Sequence, residues 1–162
     1  MTRVTIIVGN PKAHSRTRQV AEAVAARVVE PDQDDIRVIE LSEHVSQLFT
    51  WPSPVMDELM RTVAESEILI IATPTYKASY TGLLKAFLDR YPNRGLAGTR
   101  AHLVMTGADS KHALAPEVHL RPLLVELGAS VPTAALYFLV SQTDRLDEVV
   151  TEWAERELPS RA

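Results

Sequence analysis

Five short apolar segments, separated by stretches with helical periodicity, constrain the fold of this chain most. Each segment is rich in valine, isoleucine or leucine, which is typical of strands that are buried in a sheet. Between the segments, apolar residues recur every three or four positions, as on the buried face of an amphipathic helix. This alternation predicts a parallel sheet with helices on both faces. The predicted strands lie at residues 4–8, 36–41, 68–72, 101–105 and 134–140.

The length of 162 residues is typical of one domain, so we expect a single domain over residues 1–162. We expect three layers and a five-stranded sheet of order 2-1-3-4-5. A polar turn is predicted at residues 31–35. Pro122 has no N–H to bond back to Val118, so we predict a kink or a π-type bulge inside the fourth helix. The helices are expected after residue 17 and at residues 55–65, 79–89, 116–127 and 144–158.

Charge and composition exclude several classes of protein. The net charge is −4 and there is no basic run, so we expect no nucleic-acid partner. The chain has no cysteine, which excludes disulfides, thiolate metal sites and a cysteine nucleophile. The longest apolar run, at 134–140, is too short to cross a bilayer, and no signal-type apolar stretch begins the chain. We therefore expect a cytoplasmic protein that is not membrane-bound.

The turn at residues 9–17, between the first strand and the first helix, has the features of a phosphate site. A helix that begins there exposes unpaired N–H groups with about half a positive charge. Ser15 and Thr17 add hydroxyl groups, and Lys12 and Arg16 add positive charge. The alternative reading is that Ser15 only caps the helix and that Lys12 is only a solvated charge.

Two more loops follow the third and fourth strands, and all three belong to the same edge of the predicted sheet. The second loop, at residues 73–77, offers backbone groups and the flat ring of Tyr76. The third loop supplies hydroxyl groups on Thr106 and Ser110, and at Gly107 a ligand can approach the backbone closely. A phosphate at one end and a planar polar ring at the other describe a mononucleotide, and FMN fits best.

Other nucleotide and hydrolase motifs are missing. The chain has no G-x-G-x-x-G after the first strand, no G-K-[ST] and no G-x-S-x-G. His112 and His119 lie about two helical turns apart, without another histidine nearby in sequence, so no metal site is expected.

Two motifs resemble those of the NADPH-dependent FMN reductase family. The first is Gly9-Asn10-Pro11-Lys12-Ala13-His14-Ser15-Arg16-Thr17, which flavodoxin-like proteins share more widely. The second, at residues 72–89, begins Ala72-Thr73-Pro74-Thr75-Tyr76-Lys77-Ala78-Ser79 and is the more specific. It is similar in particular to the reductases that supply reduced flavin to alkanesulfonate and methanesulfonate monooxygenases. The match continues through residues 106–107, 112–115 and 120–122, so it covers nearly the whole chain.

The resemblance implies a flavodoxin-like fold and hydride transfer from NADPH or NADH to FMN, without a catalytic side chain. It also implies a homodimer or homotetramer and a partner monooxygenase that receives the reduced flavin. Ser15, Arg16 and Thr17 would contact the phosphate, and the second and third loops would contact the ring. The candidate cofactor-binding residues are Asn10, Lys12, Ser15, Arg16, Thr17, Pro74, Thr75, Tyr76, Lys77, Ala78, Ser79, Thr106, Gly107 and Ala108.

The chain departs from the family pattern at three places, and other functions stay open. Ala108 replaces a common second glycine, Lys12 replaces a common arginine, and residues 118–119 lack a tyrosine that some sulfonate-type members carry. One alternative is a quinone, azo or metal-ion reductase that retains its FMN. Another is an electron carrier of flavodoxin type, although carriers tend to be more acidic. The aromatic loop at residues 42–54 is either an interface, a lid or a packing contact.

Overall fold

The computed structural model describes residues 1–29 and 34–159. Of the polar turn predicted at residues 31–35, residues 31–33 lie outside the described part. The strands are β1 (Arg3–Val8), β2 (Asp35–Glu40), β3 (Ile68–Pro74), β4 (Arg100–Gly107) and β5 (Leu136–Leu139). These five strands are all parallel and form one sheet of order β2-β1-β3-β4-β5, which confirms the predicted order.

Helices cover both faces of the sheet, as the alternation predicts. The α-helices are α1 (Arg16–Val28), α2 (Pro54–Ala64), α3 (Gly82–Leu88), α4 (Arg121–Glu126) and α5 (Leu146–Glu157). One face of the sheet packs against α1 and α5, and its core includes Val24, Phe138 and Trp153. The other face packs against α2, α3 and α4, with Met56 and Leu84 among its buried side chains. Short 3₁₀ turns lie at Leu41–Gln47, Ser110–His112 and Val140–Arg145.

The predicted disturbance at Pro122 is a π-helical turn at Pro116–Leu120, directly before α4. The N–H of Arg121 donates to the carbonyl of Pro116, five residues back. This wider turn accommodates a proline that cannot supply a helical donor at the next position. The turn is fastened to the chain that leads into β5, because the Arg121 guanidinium donates to the carbonyls of Val131 (2.8 Å) and Thr133 (2.7 Å).

Several element boundaries differ from the prediction. The fifth strand begins at Leu136 and not at 134, because side-chain carboxylates take the backbone N–H groups of Ala134 and Ala135. The third helix begins at Gly82 and not at 79, since Thr81 provides its N-cap. The last α-helix begins two residues later than predicted, after a 3₁₀ turn. Within the described residues, no helix has the length and apolar character needed to span a membrane.

Candidate functional site

The loops after β1, β3 and β4 meet at the carboxyl edge of the sheet and are hydrogen-bonded to one another. The hydroxyl groups of Thr17 and Thr106 lie 2.9 Å apart, which joins the first loop to the third. The carbonyl of Thr106 accepts from the backbone N–H of Thr75 at 2.8 Å and from its hydroxyl at 2.9 Å, which joins the second loop to the third. The structure therefore confirms that three turns far apart in sequence form one rim.

The first loop ends in an N-cap that leaves several donors unpaired. Ser15 is only 5% exposed, and its hydroxyl accepts from the N–H of Arg18 at 3.3 Å. Among the described residues, the backbone N–H groups of Ser15, Arg16 and Thr17 have no acceptor. Converging N–H groups at a helix N-terminus bind an anion. This end of the rim therefore fits a phosphate group.

Asn10 and Lys12 shape the entry to the first loop. The Asn10 side-chain carbonyl accepts from the backbone N–H of Lys12 at 2.9 Å, which closes a turn of the type that asparagine favours. The Asn10 amide also donates to the Thr17 hydroxyl at 3.0 Å, so Asn10 holds the loop against α1. Lys12 is exposed at the tip of this turn. The positive charge that the sequence predicts for the loop is therefore accessible to a ligand.

Arg16 has contacts that the sequence could not indicate. Its guanidinium donates to the Thr143 hydroxyl at 3.0 Å and to the Val140 carbonyl at 3.4 Å. Both acceptors belong to the 3₁₀ turn after β5, on the far side of the first loop from β2. Arg16 thus joins a fourth loop to the rim and is exposed there.

The second loop contains a tight turn in a strained conformation. Tyr76 and Ser79 exchange two backbone hydrogen bonds, of 2.9 and 3.1 Å. Lys77 and Ala78, between them, have φ angles of 51° and 65°. Two central residues with positive φ define a type I′ turn, where glycine or asparagine is usual. Strain of this kind concentrates at functional sites.

This turn leaves groups available for a flat ligand. Tyr76 is 50% exposed. Among the described residues, the backbone N–H groups of Lys77 and Ala78 have no acceptor, because the turn uses only those of Tyr76 and Ser79. A ring that lies against this turn would find an aromatic surface and unpaired N–H donors.

Thr81 fixes the second loop to the first, and sequence reasoning missed it. Its hydroxyl donates to the Gly9 carbonyl at 2.6 Å and accepts from the N–H of Leu84 at 3.1 Å, so it caps α3 as well. A Cβ on Gly9 would lie 2.7 Å from the Cβ of Leu84. The signal was present in the sequence, because a threonine before Gly-Leu-Leu is a typical helix cap.

The structure explains the glycine at position 107 by packing within the protein, and not by the close approach of a ligand that the sequence predicts. A Cβ at this position would lie 1.9 Å from the hydroxyl oxygen of Tyr137, so the space beside Gly107 is filled by the protein itself. Tyr137 comes from β5 and donates to the Asp109 carbonyl at 2.8 Å, which holds the third loop. Ala108, next to Gly107, is exposed at the rim. Sequence reasoning missed Tyr137.

A buried carboxylate, Glu40, lies behind the first loop and was also missed. Glu40 ends β2 and is 3% exposed. Its oxygens accept from the Arg18 guanidinium at 2.7 Å and from the backbone N–H of His14, which lies 3.1 Å from each of them. Burial alone would raise the pKa of Glu40, but these hydrogen bonds and the nearby positive charge hold that pKa below its usual value. Glu40 is therefore ionised at neutral pH.

In the part of the chain that the structure describes, no group of three or more histidine, aspartate or glutamate side chains is arranged to hold a metal ion.

A parallel sheet of this order, with an anion-binding helix N-terminus after β1 and two more loops bonded to it, defines the flavodoxin-like class of mononucleotide-binding proteins. The model of the NADPH-dependent FMN reductase family matches residues 2–144. The chain belongs to the NADPH-dependent FMN reductase family. This confirms the expected family and, with it, the expected class of enzyme, a flavin reductase that uses FMN with NADPH or NADH.

Individual relatives agree with this assignment. An NADH-dependent FMN reductase, SfnF, of Pseudomonas putida is 30% identical over 149 residues, which cover 88% of this chain and 80% of the relative. An FMN-dependent NADPH-azoreductase of Staphylococcus haemolyticus is 29% identical and matches 79% of this chain and 72% of its own length. The crystal structure of the NADH:FMN oxidoreductase EMOB in its apo form superimposes with a TM-score of 0.81 and 28% identity, covering 99% of this chain and 92% of that one.

Proposed function

We propose that this chain is an NAD(P)H-dependent FMN reductase whose single domain, residues 1–162, binds FMN along the rim of three loops. The observation that carries the proposal is the hydrogen-bonded junction of the three loops through Thr17, Thr106 and Thr75. That junction makes one continuous surface from the unpaired N–H groups of α1 to the strained turn of the second loop.

The two ends of this surface suit the two ends of FMN. The phosphate fits the first loop, where positive charge and unpaired donors converge. The isoalloxazine ring fits the second and third loops. The proposed phosphate residues are Asn10, Lys12, Ser15, Arg16 and Thr17, and the proposed ring residues are Pro74, Thr75, Tyr76, Lys77, Ala78, Ser79, Thr106, Gly107 and Ala108.

The protein's contribution to the reaction is orientation and charge. Bound FMN supplies the chemistry, since its ring accepts a hydride from the nicotinamide of NADPH or NADH. The N–H groups of Lys77 and Ala78 would donate hydrogen bonds to the ring edge, and the exposed Tyr76 side chain would limit how the ring could lie. We assign no proton transfer to a side chain.

The quaternary structure and the electron acceptor belong to the proposal as well. We propose a homodimer or homotetramer that works in the cytoplasm, where NADPH, NADH and free FMN are available. Phe49 and Trp51, on the loop before α2, are large and exposed, which supports a contact with another chain. The resemblance to flavin-supplying reductases supports a monooxygenase as the partner that receives reduced FMN.

A second candidate function is an azo or quinone reductase that retains FMN. The similarity to the staphylococcal azoreductase supports it. Steady-state kinetics distinguish the two candidates. A sequential pattern with FMN as a varied substrate supports flavin release, whereas a ping-pong pattern with a second acceptor and FMN that remains bound on gel filtration supports the azoreductase type.

Binding of FMN tests the site directly. We expect the purified protein to quench FMN fluorescence at micromolar flavin and to oxidise NADPH or NADH only when flavin is added. Absence of quenching would refute the proposed site.

Arg16→Ala tests the phosphate end. This variant should weaken FMN binding by about 1.5–3 kcal/mol if the guanidinium contacts the phosphate, and it should leave riboflavin binding nearly unchanged. Arg61→Ala is the matched control, because Arg61 is exposed on α2 and forms an ion pair with Glu58 on the same helix. Equal losses for FMN and riboflavin would place Arg16 away from the phosphate.

A further inference from the structure

His14, directly before the N-cap Ser15, has an unfavourable backbone conformation. His14 has a φ of 51°, in the left-handed region that residues with a Cβ avoid. Because Ser15 follows directly, the conformation of His14 sets the direction in which the first N–H groups of α1 point. A first loop without this shape would present those donors differently.

Glu40 accepts a hydrogen bond from the backbone of His14. In the parallel pairing of β1 with β2, Glu40 lies opposite Val8, so the end of β2 lies beside the start of the first loop. Both carboxylate oxygens lie 3.1 Å from the His14 backbone nitrogen. A charged acceptor on a backbone N–H makes a stronger hydrogen bond than a neutral one. The contact therefore favours the left-handed conformation at His14.

Arg18 stabilises the buried negative charge of Glu40 by forming an ion pair with it. An isolated buried carboxylate is strongly unfavourable unless it is paired. Arg18 donates to Glu40 at 2.7 Å and to Glu22 at 2.8 Å, and it lies one helical turn after His14. The ion pair neutralises Glu40, which would otherwise repel an anion at the neighbouring helix N-terminus. It also engages Arg18 with two carboxylates.

We infer that Glu40 is a positioning residue for the phosphate end of the flavin site, acting through the backbone of His14 and Ser15. The inference rests on the proposed function. Glu40 is 3% exposed and its oxygens already accept from His14 and Arg18, so we assign it no direct contact with the ligand. We therefore expect the loss of Glu40 to weaken the binding of the FMN phosphate and to leave the binding of the ring unchanged.

The test compares FMN with riboflavin in matched variants. For Glu40→Ala, the Kd for FMN should rise about tenfold, equivalent to about 1.4 kcal/mol, while the Kd for riboflavin changes less than about twofold. Glu40→Gln keeps one oxygen acceptor and should lie between wild type and Glu40→Ala. Glu22→Gln is the control, because Glu22 also pairs with Arg18, whereas the backbone N–H of His14 donates to Glu40. It should leave both affinities unchanged.

A rescue experiment separates positioning from a general structural role. Glycine adopts the left-handed region without a Cβ clash, so His14→Gly added to Glu40→Ala should recover part of the FMN affinity. A general loss of stability would weaken both flavins equally and would not be rescued by that change. If Glu40→Ala does not unfold cooperatively, the test uses Glu40→Gln instead. A ratio of the Kd for FMN to the Kd for riboflavin that is higher than in wild type supports the inference, and an unchanged ratio refutes it.

The outcomes also separate this inference from the proposed function. Wild-type protein that does not bind FMN would refute the proposed function. Wild-type protein that binds FMN more tightly than riboflavin, together with a Glu40→Ala variant that keeps the same ratio, would refute only the role of Glu40.

Discussion

His102 should make the stability of this protein depend on pH between about 6.5 and 4, a range that begins above the pH at which carboxylates titrate. His102 lies in β4, is 5% exposed and makes a 2.9 Å hydrogen bond between its Nδ1 and the Thr133 hydroxyl. The indole ring of Trp153 packs edge-on against it, with ring centroids 6.2 Å apart. Burial, and then the positive charge of Arg100, lower the pKa of His102 from 6.5 to about 4.

The direction and size of the effect follow from this difference in pKa. Above about pH 6.5 His102 is neutral in both the folded and the unfolded chain, so its contribution to stability is complete. As the pH falls from 6.5 towards 4, only the unfolded chain takes up the proton, and stability is lost. One pKa unit corresponds to about 1.4 kcal/mol, so the free energy of unfolding should fall by about 3 kcal/mol over this range.

Urea unfolding at a series of pH values between 7.5 and about 4 measures this loss. His102→Asn keeps a hydrogen-bonding group for Thr133 but does not titrate, so its free energy of unfolding should vary less with pH over this range. His119→Asn is the matched control, because His119 is exposed and should leave the wild-type pH dependence unchanged. Equal pH dependence in wild type and His102→Asn would refute the reasoning.

Two further predictions concern the loops of the rim. Gly9→Ala should destabilise the fold by about 1–3 kcal/mol in urea unfolding, since the new Cβ would lie 2.7 Å from that of the buried Leu84. Gly82→Ala is its control and should be neutral or stabilising, because nothing lies within 4 Å of a Cβ there and alanine favours the helix; equal losses for both would contradict the packing argument. Ala78→Gly should stabilise the fold by about 0.5–1 kcal/mol by relieving the left-handed conformation, and a lower midpoint of denaturation would show that the turn is not strained.

Local patterns in the sequence were sufficient for the fold and for the meeting of the three loops at one edge of the sheet. Strand and helix periodicities depend on near neighbours in the chain, and the parallel arrangement brings the loops after β1, β3 and β4 to one edge. Pro122 was likewise predictable, because a missing N–H disturbs a helix wherever the helix lies. The family motifs at residues 9–17 and 72–89 added the cofactor and the class of enzyme.

Contacts between distant parts of the chain were decided only by the tertiary structure. The Thr17–Thr106 hydrogen bond spans 89 positions, and the bond from Arg16 to Thr143 spans 127. Likewise, no local pattern shows that Tyr137 fills the space beside Gly107. A serine, threonine, aspartate or glutamate in a sequence does not show whether its side chain faces a ligand, solvent or another loop. Their role depends on which atoms lie within about 3 Å after the helices have packed on the sheet.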